Sequence, residues 1–165
     1  MTYRVVVGVD GSVHAQAALR FALAEAEAHH GEVTAIFAWQ MPFMSIPGAF
    51  DREEMQKAGT ELLTESVSAV APSPRVPLRT LVAEGDPAES LITASNDANL
   101  LVVGVRGRST FRGLLVGAVS LRCSAGASCP VVLVKLPGDT QPGYPVTPSR
   151  DSGTAVEVSP VAGGQ

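Results

Sequence analysis

The sequence predicts an open α/β fold in which five parallel strands, in the order 3-2-1-4-5, are covered by helices on both faces. Three observations predict it. Short β-branched runs alternate with longer Ala-, Leu- and Glu-rich segments through residues 1–136, and strict strand–helix alternation means a parallel sheet with right-handed crossovers. The run at residues 100–105 (LLVVGV) is apolar without interruption, as a strand buried on both faces must be. Finally, the first and fourth runs both end in Gly-rich loops. In the order 3-2-1-4-5 those two strands adjoin where the chain order reverses, and ligands of open parallel sheets bind outside the carboxyl ends of the strands at that point.

The elements follow in order. Residues 3–9 (YRVVVGV) form the first strand. Ser12, after the turn Asp10-Gly11, caps a helix over residues 13–30. Val13, Ala17, Phe21, Ala24 and Ala28 recur three or four residues apart, which predicts that they form its apolar face. Gly31 stops it. Residues 32–39 (EVTAIFAW) form the second strand, and the two prolines and one glycine of residues 41–49 form a loop. Residues 51–70 read as a helix, broken by three prolines in residues 71–77. The third strand spans residues 78–83. Asp86-Pro87-Ala88-Glu89 then starts a helix: Asp86 can accept from the Glu89 amide, Glu89 can reach back, and Pro87 fills the first helical position. This helix runs to about residue 97. The fourth strand, a Gly/Arg/Ser loop, a helix over roughly residues 115–125 and a fifth strand at residues 130–136 (PVVLVKL) complete the domain. Residues 137–165 hold five prolines and five glycines without hydrophobic period and read as a disordered tail.

Composition narrows the function. The 165 residues suit one domain with its own core, and the net charge of −4 disfavours general nucleic-acid binding. No apolar stretch of membrane-spanning length and no secretory leader pattern is present. Cys123 and Cys129 make no metal-binding pattern and read as free thiols. These features predict a cytoplasmic protein that contacts neither membrane nor nucleic acid.

The loop after the fourth strand carries phosphate chemistry. Gly104, Gly107, Gly113 and Gly117 allow close backbone approach. Arg106, Arg108 and Arg112 add positive charge with no acid between them, in forks that match phosphate oxygens. Ser109, Thr110 and Ser120 add hydroxyls, and the start of the following helix would aim free N–H groups at an anion. Asp10 would repel a bare phosphate, so it suits a ribose hydroxyl or Mg2+, or serves simply as a turn residue ahead of the first helix. No Gly-Lys pair exists for a P-loop, and the first turn lacks the dinucleotide fingerprint. His14, His29 and His30 read as surface residues. No nucleophile–base pair can be assembled.

The spacing Gly104-x2-Gly107-x9-Gly117 is similar to the nucleotide-binding signature of ATP-binding universal stress proteins. VVVGVDGS resembles that family's first strand and turn, and SCPVVLV its last strand. The resemblance covers residues 1–136. It implies the same 3-2-1-4-5 sheet, in a fold like that of the adenine nucleotide alpha hydrolases and Rossmann-like proteins, and a site for ATP, with AMP and cyclic AMP as alternatives and Mg2+ as a companion ion. It implies that Asp10 contacts the ribose or adenine end, that the backbone near Val9 and Ala38 flanks the base, and that Val103 and Gly104 lie by the ribose. Arg106, Gly107, Gly117, Ala118, Val119 and Ser120 would meet the phosphates. The family places Ser or Thr directly after the third glycine, and here that residue is Ala118, which removes one hydroxyl donor; Ser120 is a candidate replacement. The family also implies a homodimer paired through the last strand. The expected role is that of a nucleotide-binding stress-response module, with a slow ATPase and a nucleotide-independent interaction module as the alternatives.

Overall fold

The computed structural model describes residues 2–40, 51–108 and 116–139. The strands are β1 (Arg4–Gly8), β2 (Glu32–Trp39), β3 (Leu78–Glu84), β4 (Leu100–Gly104) and β5 (Val131–Val134). Between them lie the helices α1 (Val13–Ala28), α2 (Arg52–Val70), α3 (Pro87–Ala94) and α4 (Ala118–Gly126). Every pairing is parallel, as the alternation predicted, and the order is the expected β3-β2-β1-β4-β5.

The alternating pleat divides the apolar residues between two cores. Val5, Val7, Val33, Ala35 and Val102 face α1 and α2, meeting Ala18, Leu19, Ala22 and Leu63. Val6, Ile36, Leu101 and Val103 face α3 and α4, meeting Ala88, Leu91 and Cys123. β1 and β4 are thus covered on both sides, which explains their continuous apolar sequence. Burial among these residues pushes the Cys123 thiol up to about 11, so it is a packing group with no thiolate at neutral pH. Both cysteines are free.

Helix capping follows the local sequence. Ser12 Oγ accepts from the Ala15 N–H at 3.1 Å, and an Asp86 carboxylate oxygen accepts from the Glu89 N–H at 3.0 Å. Glu89 itself turns toward Arg122 (3.6 Å) instead of reaching back to the cap. Arg122 also donates to both Asp86 oxygens at 2.8 Å, which ties α4 to the start of α3.

Several boundaries and one helix face differ from the sequence reading. The buried face of α1 is Ala15, Ala18, Leu19, Ala22 and Ala26, while Val13 and Phe21 are exposed. Alanine recurs on both sides of this helix, and the small side chains let it lie close to the sheet, so the larger Val13 and Phe21 face outward. α3 ends at Ala94 and closes with a 3-10 turn, Ser95–Asp97. α4 begins at Ala118, three residues later than expected. β4 ends at Gly104 and β5 spans only Val131–Val134. Residues 137–139, assigned to the tail, close a turn: the Asp139 N–H donates to Leu136 C=O at 3.1 Å, with Gly138 at φ +94°. The expected loop over residues 41–49, Ser109 to Gly113, and the tail from residue 140 lie outside the described residues. No helix among the described residues is long and apolar enough to cross a membrane.

Candidate functional site

The carboxyl ends of β1, β2 and β4 and the amino ends of α3 and α4 enclose a crevice of about 250 Å3 at the sheet reversal. All eleven residues singled out in the sequence line it. Val9 and Asp10 follow β1, Ala38 is in β2, and Val103 and Gly104 end β4. Arg106 and Gly107 follow β4, Gly117 caps α4, and Ala118, Val119 and Ser120 form its first turn. The sequence reading missed part of the lining. Ile36 from β2 with Pro87 and Leu91 from α3 supply apolar surface there; Pro87 carried only a helix-start signal.

Asp10 clasps two loops together. Its Oδ1 accepts from the Ser12 N–H at 3.0 Å and its Oδ2 from the Arg108 N–H at 2.9 Å. The first bond shapes the turn into α1, where Gly11 takes φ +79°. The second crosses the reversal to the β4 loop. It needs a glycine at 107, because a Cβ there would sit 2.6 Å from Asp10 Oδ2. A carboxylate has about four lone-pair sites, so two remain on Asp10 for a ligand hydroxyl.

At the amino end of α4, the Gly117 N–H donates to Val105 C=O at 2.8 Å. The first intrahelical bond of α4 runs from the Leu121 N–H to Gly117 C=O at 3.0 Å. The N–H groups of Ala118, Val119 and Ser120 therefore precede the helical ladder and have no intrahelical acceptor. They carry the positive end of the helix dipole. Ser120 is buried, and its Oγ donates to Gly104 C=O at 2.7 Å. That hydroxyl proton satisfies the last β4 carbonyl, so the proposed replacement for the missing Ala118 hydroxyl is committed elsewhere, and the Ser120 backbone N–H is the donor left at this position.

His14 departs from the surface reading. Its side chain is 13% exposed, and Nε2 lies 2.8 Å from Asp139 Oδ2. The absence of a side chain at Gly104 makes this possible, because a Cβ there would be 2.7 Å from His14 Cβ. Asp139 Oδ1 accepts from Arg106 Nη1 at 3.1 Å, and its Oδ2 accepts from the Leu136 N–H at 2.7 Å. The Leu136 N–H, followed by His14 and Arg106, holds the Asp139 carboxyl below the usual carboxylate range. His29 and His30 are exposed, as expected. Among the described residues, no group of three or more His, Cys, Asp or Glu side chains is placed to hold a metal.

The model of the universal stress protein family matches residues 1–135. The chain belongs to the universal stress protein family. Its relatives include a universal stress protein of Mycobacterium tuberculosis strain H37Rv, 32% identical over 132 residues, covering 79% of this chain and 44% of the relative. The chain therefore spans less than half the length of that protein. A universal stress protein of Thermus aquaticus is 30% identical over 135 residues, covering 79% of this chain and 97% of the relative. Solved universal stress protein structures share the fold. One in complex with cAMP superposes with TM-score 0.60 at 24% identity, covering 81% of this chain and 96% of that chain. One from Archaeoglobus fulgidus in complex with dAMP gives 0.61 at 21%, covering 82% and 98%. One from Arabidopsis thaliana with AMP bound gives 0.57 at 21%, covering 87% and 98%.

Proposed function

We propose that this universal stress protein binds an adenine nucleotide in the crevice at the sheet reversal and acts as a nucleotide-responsive regulatory module. One observation carries the reading. Apolar surface, the Asp10 carboxylate, the Arg106 guanidinium and three α4 N–H groups without intrahelical acceptors converge on a single crevice. Those are the groups that an adenosine phosphate requires for its base, ribose and phosphate. Ile36, Ala38 and Leu91 offer apolar surface to the base, Asp10 accepts from a ribose hydroxyl, and Arg106 with the α4 amino end meets the phosphates. The cAMP, dAMP and AMP complexes of the related structures support the ligand class.

ATP is the adenylate we favour within that class, on the glycine spacing of the β4 loop. The missing hydroxyl at Ala118 lowers its affinity several-fold, since one neutral hydrogen bond contributes on the order of 1 kcal/mol. Mg2+ would enter with the phosphates, held by phosphate oxygens and water, since Asp10 is assigned to the ribose. Both Asp10 oxygens already hold backbone N–H groups, which supports regulation over turnover. β5 is a sheet edge, and antiparallel pairing with β5 of a second copy would protect its unpaired backbone groups.

The test is calorimetric titration with ATP, ADP, AMP and cAMP, with and without Mg2+, after chromatography of the supernatant from denatured protein has established what co-purifies. One adenylate site per chain is expected. No saturable heat with any of the four at millimolar concentration overturns the reading. Light scattering at micromolar concentration should give twice the chain mass, and a monomer would reject the β5 pairing.

A further inference from the structure

Asp139 lies beyond the last strand, outside the residues matched to the family, yet its carboxylate sits against the candidate site. Three donors from three parts of the fold hold it: the Leu136 N–H at the end of β5, His14 Nε2 from α1 and Arg106 Nη1 from the β4 loop. The side chain is 10% exposed. The turn that returns it is built on Gly138, whose φ of +94° a residue with a Cβ rarely adopts. Asp139 is therefore a fixed anion.

Arg106 differs in kind. It follows β4 on a loop, its side chain is 31% exposed, and a long arginine side chain has much rotamer freedom to lose when it is fixed. It lines the crevice, and Asp139 does not. One guanidinium nitrogen, Nη1, lies on the Asp139 carboxylate at 3.1 Å, while the same side chain forms part of the crevice wall.

We infer that Asp139 is a positioning residue which holds the Arg106 guanidinium in place for the ligand phosphate, so that the segment after β5 completes the nucleotide site. The inference rests on the proposed function, specifically on Arg106 meeting phosphate. Pre-ordering a long side chain reduces the entropy lost on binding, which corresponds to about a two- to tenfold change in affinity. The depressed carboxyl pKa keeps the anion charged throughout the neutral range.

The test measures AMP and adenosine affinities for the full chain by calorimetry. Asp139→Ala should weaken AMP by about two- to tenfold and leave adenosine unchanged. Gly138→Val, which meets nothing within 4 Å but strains the turn, should reproduce that pattern. In an Arg106→Gln background, adding Asp139→Ala should have no further effect. Equal losses for AMP and adenosine would make Asp139 merely structural, and tighter AMP binding would make it a competitor of phosphate; either result overturns the inference. If the wild-type chain prefers AMP over adenosine but Asp139→Ala matches it, the inference alone fails. If the wild-type chain shows no preference for AMP, the phosphate reading of Arg106 fails and the inference falls with it.

Discussion

Asp10 Oδ2 accepts the backbone N–H of Arg108 at 2.9 Å across 98 residues of sequence. This bond closes the gap between the two loops at the sheet reversal, and it makes the β1 turn and the β4 loop one rigid wall. Hydrogen bonds to a charged group contribute about 1.5–3 kcal/mol each. Asp10→Ala should therefore weaken nucleotide binding by at least about tenfold, for adenosine and AMP alike. Hydrogen exchange at the Arg108 amide should accelerate in the same variant. Gly107→Ala should act in the same direction, because its Cβ would fall 2.6 Å from Asp10 Oδ2.

Gly117 separates binding from folding. It caps α4 with φ −71° and ψ 155°, a conformation open to any residue, and it is buried in the crevice wall. Gly117→Val should abolish close phosphate approach and lower AMP affinity more than about tenfold. Valine is a poorer cap than glycine by about 1 kcal/mol, so the midpoint of thermal unfolding should fall by only a few degrees. Unchanged affinity in this variant would displace the phosphates from the α4 amino end.

Gly31 provides the matching test of the fold. A Cβ at Gly31 would collide with the Tyr3 carbonyl oxygen, a backbone atom fixed by the Glu32 N–H at 2.8 Å. At Gly8 the nearest atom is Leu91 Cδ1, the end of a flexible side chain. Urea unfolding should show Gly31→Ala destabilised by about 1–3 kcal/mol and Gly8→Ala by less.

Asp86 links the fold to pH. The Glu89 N–H first, and the Arg122 guanidinium after it, hold this carboxyl below the usual carboxylate range. A folded-state pKa below the unfolded value of about 3.9 contributes stability that is fully present above that value. The contribution is lost as pH falls through the lower folded-state pKa. Asp86→Asn should therefore flatten the acid limb of the stability profile below about pH 4, measured by urea unfolding at stepped pH, and leave its shape above pH 5 unaltered.

The element order was legible because it rests on redundant signals: apolar runs such as LLVVGV, the Asp10-Gly11 turn and the Asp86-Pro87 helix start; the strand order came from placing the two Gly-rich loops side by side and from the family resemblance. The glycine spacing after β4 marked one wall of the crevice for the same reason. The buried face of α1 was not legible, since alanines recur around the helix and several faces satisfy a three-to-four spacing. Ile36, Pro87 and Leu91 are ordinary core and cap residues in sequence, and only the sheet reversal turns them toward a site. The partnership of His14, Arg106 and Asp139 spans 125 residues and depends on a missing Cβ at Gly104 and a left-handed Gly138. No local pattern carries that information.

The central claim is that an adenine nucleotide occupies the crevice at the carboxyl ends of β1 and β4. Amide chemical shifts of 15N-labelled protein titrated with AMP test it most directly. The account predicts saturable shifts at Val9, Asp10, Gly104, Gly107 and Ala118 to Ser120, with the groove of Arg20, Leu23 and Val70 on the other side of the molecule unmoved. Shifts confined to that groove, or none at millimolar AMP, would contradict it.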